Sequence, residues 1–237
     1  MTQQVQIYTD RSALIDGAVK LVVERMRTAI AERQYCSIAL SGGSTPQPLY
    51  AALATQDLPW HRIHIYWGDE RYVAPTHPDS NYGMAKQVWL DLVPIPAENI
   101  HPMPTDLPQP QLAADAYERE IQLGMGLNPI FDIILLGMGD DGHTASLFPH
   151  TAALSVVDRL VTLGDKDGQP RLTFTTTIIN QARSTIFLVC GASKQPALAA
   201  VFAPTGDPET YPSRLIQPTG ELIWLLDAAA GEKLPQA

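Results

Sequence analysis

"CSIALSGGSTPQPLYAALA", from Cys36 to Ala54, decides the fold. Its first five residues are apolar without clean alternation, which is how a strand buried on both faces reads. The run ends in Ser41-Gly42-Gly43-Ser44-Thr45, and Pro46 then suits the first turn of a helix reaching Ala54. Strand, glycine turn and helix follow one another within nineteen residues.

The same alternation extends in both directions. Apolar runs recur as "VQIY" at Val5, "IHIYW" at Ile63, "DIILLG" at Asp132, "TIFLVCG" at Thr185 and "LIWLL" at Leu222. Ser12 to Arg33 sets Leu14, Ala18, Leu21, Val22, Met26, Ala29 and Ile30 on one helical face, with Asp10 or Ser12 as the N-cap. Further helices are expected over 46–54, 81–92, 111–123 and 194–202. The predicted class is α/β: a doubly wound, mostly parallel, Rossmann-like sheet with helices on both faces and right-handed crossovers. Residues 1–237 are expected to form a single domain. Two proline-rich stretches, "PIPAENIHPMPTDLPQP" from Pro94 and "PTGDPETYPSRLIQP" from Pro204, read as long surface connections.

A hydrophobic fraction of 45% suffices for a sizeable core, and a net charge of -9 argues against nucleic acid as a partner. An anionic small substrate would need a local basic pocket. No apolar run is long enough to span a membrane, and the first residues carry no secretory pattern, so a cytoplasmic protein is expected. Cys36 and Cys190 lack metal-site spacing and read as reduced core residues.

Ligands of open parallel sheets bind at the carboxyl ends of the strands, and three such ends carry unusual chemistry. Gly42, Gly43, Ser44 and Thr45 let backbone N–H groups approach an anion ahead of a helix N-terminus, although a capped turn is the plain alternative. The loop is neither a Walker A sequence nor G-x-G-x-x-G. Asp69, Glu70 and Arg71 follow the strand ending near Trp67 and offer either an acid–base group with an anion clamp or a surface ion pair. Gly137-Met138-Gly139 leads into Asp140-Asp141-Gly142-His143, where an imidazole beside a carboxylate makes a general base. The other five histidines sit in connections or beside a strand without comparable partners, and no metal-binding histidine pair is spaced for the purpose. Lys194, just after the strand ending near Gly191, belongs by the same rule with these loops; Arg171 precedes another apolar stretch.

Taken in order, "SGGSTP", "WGDERYV", "SNYGMAK", "GMGDDGHTASLFP", "PRLT", "GASK" and "YPSRLIQPTGELIWLLDAAA" resemble the 6-phosphogluconolactonase family within the glucosamine-6-phosphate isomerase/deaminase superfamily. The resemblance implies hydrolysis of 6-phospho-D-glucono-1,5-lactone to 6-phosphogluconate in the oxidative pentose phosphate pathway, with a sugar-phosphate lactone as the small-molecule partner, no obligate protein partner and neither metal nor organic cofactor. It makes His143 the catalytic histidine, Asp141 its acidic neighbour, and Asp69 and Arg71 the pair after the second strand. Gly43, Ser44 and Thr45 match the sugar-phosphate loop, and Arg171 and Lys194 the phosphate-binding cations. Two rivals stand beside this reading: isomerase/deaminase activity and a sugar-phosphate sensor without turnover. Deaminases carry Asn-Glu-Pro where this chain has Leu147-Phe148-Pro149, and a tyrosine where it has Arg71; both departures favour the lactonase. The expected chemistry is attack of a water, deprotonated by His143, on the lactone carbonyl. Asp141, with Asp140 as second choice, would fix the imidazole; Asp69 would bind sugar hydroxyls or orient Arg71; and Arg71 would serve the oxyanion or the phosphate.

Overall fold

A computed structural model describes residues 2–234. The chain runs β1 (Thr2–Tyr8), α1 (Arg11–Arg33), β2 (Cys36–Leu40), α2 (Gln47–Leu53), β3 (Ile63–Trp67), β4 (Asp69–Arg71), α3 (Asn81–Val88), α4 (Pro110–Met125), β5 (Ile133–Leu136), β6 (Val161–Lys166), β7 (Gln169–Phe174), α5 (Thr176–Ile179), β8 (Ser184–Val189), α6 (Gln195–Phe202), β9 (Glu221–Asp227) and α7 (Ala228–Gly231).

Six strands form one parallel sheet in the order β1-β9-β8-β5-β2-β3. Every residue of β2, β5 and β8 is buried, so helices and loops cover both faces, as the unbroken apolar runs require. From β2 the chain steps outward to β3 and then returns to β5 on the other side of β2, which makes the β2/β5 boundary a topological switch point. Helix α1 packs across β1, β9, β5 and β2; its N-cap is Asp10, whose carboxylate accepts the Ala13 N–H at 2.9 Å. Among the described residues no helix is long and apolar enough to cross a membrane.

Two expectations need correction. The helix foreseen over 81–92 stops at Val88, because Trp89 leaves helical geometry and buries its indole between Tyr50 and Trp60, with a short 3-10 turn at Leu90–Leu92 following. A second sheet also exists, antiparallel, in the order β4-β7-β6. Its signal was present in the sequence: Asp167-Gly168 joins β6 to β7 with φ of 56° and 78°, the two-residue turn that Asp-Gly favours. Asp69 and Arg71 therefore do not trail off the end of β3. Gly68 hinges the chain from one sheet into the other, its N–H donating to Leu40 and its carbonyl accepting from Phe174, and the small sheet is set at the carboxyl end of the large one.

Candidate active site

A cleft of about 340 Å³ opens at the switch point, between the carboxyl ends of β2, β5 and β8 and the inner edge of the small sheet. It is lined by all three strand-end loops picked out in the sequence, with Arg171 and Lys194 beside them.

The loop after β5 is built around its glycines. A side chain on Gly139 would overlap the His143 imidazole and the Asp141 carboxylate, and Gly142 takes a φ of 78° with Tyr211 packed against it. The Gly139 N–H donates to the His143 carbonyl, while Ser213 donates to the Gly142 carbonyl from both its N–H (2.9 Å) and its hydroxyl (2.8 Å). The "YPSRL" stretch thus clamps the loop that carries the histidine.

His143 Nδ1 lies 2.6 Å from Asp141 Oδ1, and the same oxygen accepts the His143 backbone N–H at 3.1 Å. These hydrogen bonds from His143, the side-chain one foremost, hold the Asp141 carboxyl at about 2, well below its ordinary range. An ionised acceptor keeps the proton on Nδ1 and leaves Nε2 as the basic nitrogen. Asp140 does something else: its Oδ1 lies 2.7 Å from Lys194 Nζ and accepts the Ser193 hydroxyl at 3.1 Å, which lowers its pKa. Of the two aspartates, Asp141 is therefore the partner of the imidazole. Phe148 is only 8% exposed and packs its ring 4.5 Å from the His143 ring; lacking a proton to move, it still limits how far the imidazole tilts.

Asp69 is buried at the cleft floor and accepts the Ser146 hydroxyl at 2.8 Å; burial raises its pKa against the pull of Ser146 and the nearby cations. It makes no direct ion pair with Arg71, so a role in orienting that guanidinium is not supported. Arg71 donates instead to the Asp79 carbonyl at 2.6 Å. Glu70 turns away from the cleft and accepts the N–H groups of Arg71, Asn81 and Tyr82, fixing the start of α3. Arg171 stands directly across the β4–β7 pair from Arg71. Burial first, and Arg71 second, lower its pKa. Like charges set opposite on a sheet are unfavourable; the carboxylates of Asp69, Asp79 and Glu70 offset them in part, but among the described residues none forms a direct ion pair with either guanidinium, which leaves both free to meet an anion.

The loop after β2 completes the cleft. None of the N–H groups of Gly42, Gly43, Ser44 and Thr45 donates to a protein acceptor among the described residues. Gly43 takes a φ of 94°, with open space where a side chain would project. Uncommitted donors beside Lys194 and Arg171 make an anion cradle.

All ten site residues predicted from the sequence, from Gly42 to Lys194, are in this region; nine line the cleft and Asp141 stands behind His143. Among the other lining residues, Asn81, Ser146, Cys190 and Lys166 were not singled out as site residues from the sequence. Asn81 and Ser146 lie inside motifs already quoted, Cys190 reads as core in the sequence, and Lys166 sits on the unforeseen hairpin, 5.8 Å above the Phe148 ring. Cys190 is a free, half-buried thiol, pushed up to about 11 by burial. The expectation that no other histidine has a comparable partner is wrong: His101 Nδ1 lies 2.9 Å from Glu120 Oε1, far along the chain at the β3 edge.

An α/β sheet with an anion cradle and a histidine–carboxylate pair at its switch point defines a class of sugar-phosphate enzyme. The sequence matches the description "Glucosamine-6-phosphate isomerases/6-phosphogluconolactonase" over residues 9–224, and the chain belongs to that family. It is 60% identical to the 6-phosphogluconolactonase of Synechocystis sp., and 57% identical to that of Nostoc sp., over 99% of each chain. Its fold superposes on the 6-phosphogluconolactonase of Trypanosoma brucei with a TM-score of 0.90 at 29% identity, covering 99% of both chains. A monomeric glucosamine-6-phosphate deaminase shares the fold with a TM-score of 0.81 at 17% identity.

Proposed function

We infer that the chain hydrolyses 6-phospho-D-glucono-1,5-lactone to 6-phosphogluconate, the second step of the oxidative pentose phosphate pathway. The observation that carries this reading is the His143–Asp141 pair at the mouth of an anion cradle, in a chain 60% identical to a 6-phosphogluconolactonase. The substrate phosphate is held by the N–H groups of Gly42 to Thr45 with Lys194 and Arg171. Arg71, across from Arg171, adds positive potential shared by the phosphate and the developing oxyanion.

His143 Nε2 takes a proton from water as its oxygen bonds to C1. The tetrahedral oxyanion then collapses, the bond from C1 to the ring oxygen breaks, and the imidazolium returns its proton to that oxygen. The new carboxylic acid ionises to solvent. Asp141 fixes the tautomer and stabilises the imidazolium that forms between the two steps. Asp69, backed by Ser146, accepts hydrogen bonds from sugar hydroxyls. We assign the activity to one domain, acting in the cytoplasm, where two free cysteines stay reduced.

The test is release of 6-phosphogluconate from freshly generated lactone, coupled to 6-phosphogluconate dehydrogenase and read above spontaneous hydrolysis. Turnover above that background is expected, with no ammonia released from glucosamine 6-phosphate. Ammonia without lactonase turnover would transfer the chain to the deaminase branch.

A further inference from the structure

The loop after β2 must hold its N–H groups toward an anion, and its glycines give it little stiffness of its own. Its two ends are fixed from inside the protein. The buried Tyr50 hydroxyl donates to the Ser41 carbonyl at 2.7 Å and accepts the Ser41 N–H at 3.0 Å, and the Pro46 carbonyl accepts the Tyr50 N–H at 3.0 Å as α2 begins. Between these anchors, the backbone of residues 42–45 makes a single hydrogen bond to the protein among the described residues. The Ser44 carbonyl accepts from Arg11 Nη2 at 2.5 Å.

Arg11 is the first residue of α1, directly behind the Asp10 cap. The six strands of the large sheet are parallel, so α1 starts at the carboxyl end of β1, on the pole of the sheet that carries the cleft. A 23-residue helix packed on that sheet is a firm base for the guanidinium. Arg11 does not itself line the cleft, whereas Ser44 and Thr45 do. No peptide bond among the described residues is cis, and a trans peptide sets its C=O and N–H on opposite sides. A guanidinium that holds the Ser44 carbonyl from outside the cleft therefore turns the Thr45 N–H, which has no protein acceptor, toward the cleft. Its charge also polarises that peptide and strengthens the N–H as a donor.

We propose that Arg11 is a positioning residue for phosphate binding: through its hydrogen bond to the Ser44 carbonyl it presents the Thr45 N–H to the substrate phosphate. This rests on the reading of the loop as the phosphate cradle and names what orders it. Arg11 is exposed, so its loss leaves the core untouched and the melting temperature serves as a control. Its charge also reaches the cleft wall: burial and then Asp227 push the Cys190 thiol up, and Arg11 pulls the other way. Ordering of the loop must therefore be separated from plain attraction of an anion. Salt screens the attraction between exposed charges, but it does not turn a peptide that is already fixed.

The test is calorimetric titration of 6-phosphogluconate and of inorganic phosphate into wild type, Arg11→Met and Arg11→Lys, at low salt and at about 0.5 M NaCl. The Kd of both ligands is expected to weaken by about three- to tenfold in Arg11→Met relative to wild type, as one of several hydrogen bonds to phosphate loses its alignment. That factor should be the same at both salt concentrations. Arg11→Lys, which keeps a charged donor on a long stem, should return to within about twofold of wild type. In lactone hydrolysis KM should rise by the same factor in Arg11→Met while kcat stays within about twofold, and melting temperatures should match wild type. Unchanged affinity in Arg11→Met would overturn the proposal, and so would a weakening that disappears at high salt, which would leave Arg11 as a distant charge. A wild type that binds phosphate but not 6-phosphogluconate would strike the lactonase reading itself, while the phosphate titrations would still decide the role of Arg11.

Discussion

Among the described residues two histidines lie within hydrogen-bonding distance of a carboxylate, and only one has the makings of the proposed catalyst. His143 meets Asp141 at 2.6 Å and His101 meets Glu120 at 2.9 Å, so the pair alone does not separate them. The second nitrogen does. His101 Nε2 lies 3.2 Å from His64 Nδ1, and its ring is sandwiched against Tyr66, with centroids 4.2 Å apart. Both of its nitrogens are committed, and together with the Ile65–Ile100 bridge it fastens the 94–101 segment over the outer edge of β3. His143 has Nδ1 committed and Nε2 uncommitted, in a glycine-built loop at the switch point with cations around it. A histidine with one free nitrogen beside an anion cradle is a base; one with both nitrogens bonded at a sheet edge is a staple.

That contrast orders the expected effects. His143→Ala should lower kcat by about 10²–10⁴-fold, the usual worth of a general base, and Asp141→Asn, which removes the tautomer-fixing charge, by about 10–10²-fold; steady-state lactone hydrolysis reads both. Arg171→Met should raise KM by about 10–10²-fold, the loss of one charged hydrogen bond to phosphate, with a smaller effect on kcat. His101→Ala should leave kcat within about twofold while lowering the melting temperature by roughly 3–10 °C, corresponding to about 1–3 kcal/mol in a chain of this size.

The smallest effect is a pH slope. Burial, with His101 second, lowers the pKa of His64, so the folded chain binds fewer protons there than the unfolded chain. This contribution is full above the unfolded value of about 6.5 and is progressively lost as pH falls through and below it. His64→Gln should therefore flatten the fall of melting temperature between about pH 7 and pH 5.

The large sheet was legible because its inner strands β2, β5, β8 and β9 are buried on both faces and read as largely apolar runs. The three loops were legible because glycines and charges stand at the ends of those runs. The small sheet was not: β4 is three polar residues, and β6 is half exposed, so neither has the apolar signature, and only the Asp-Gly turn betrayed the hairpin. Arg11 escaped because its partner is a backbone carbonyl thirty-three positions away, a contact that exists only once the chain has folded. His101 and Glu120, nineteen positions apart, met through the packing of α4 against the β3 edge, which no local pattern encodes.

The most direct test measures kcat and melting temperature side by side for His143→Ala and His101→Ala. A collapse of kcat with an unchanged melting temperature in the first, and the reverse in the second, is the predicted outcome. Wild-type turnover in His143→Ala, above the spontaneous background, would contradict the assignment of His143 as the base.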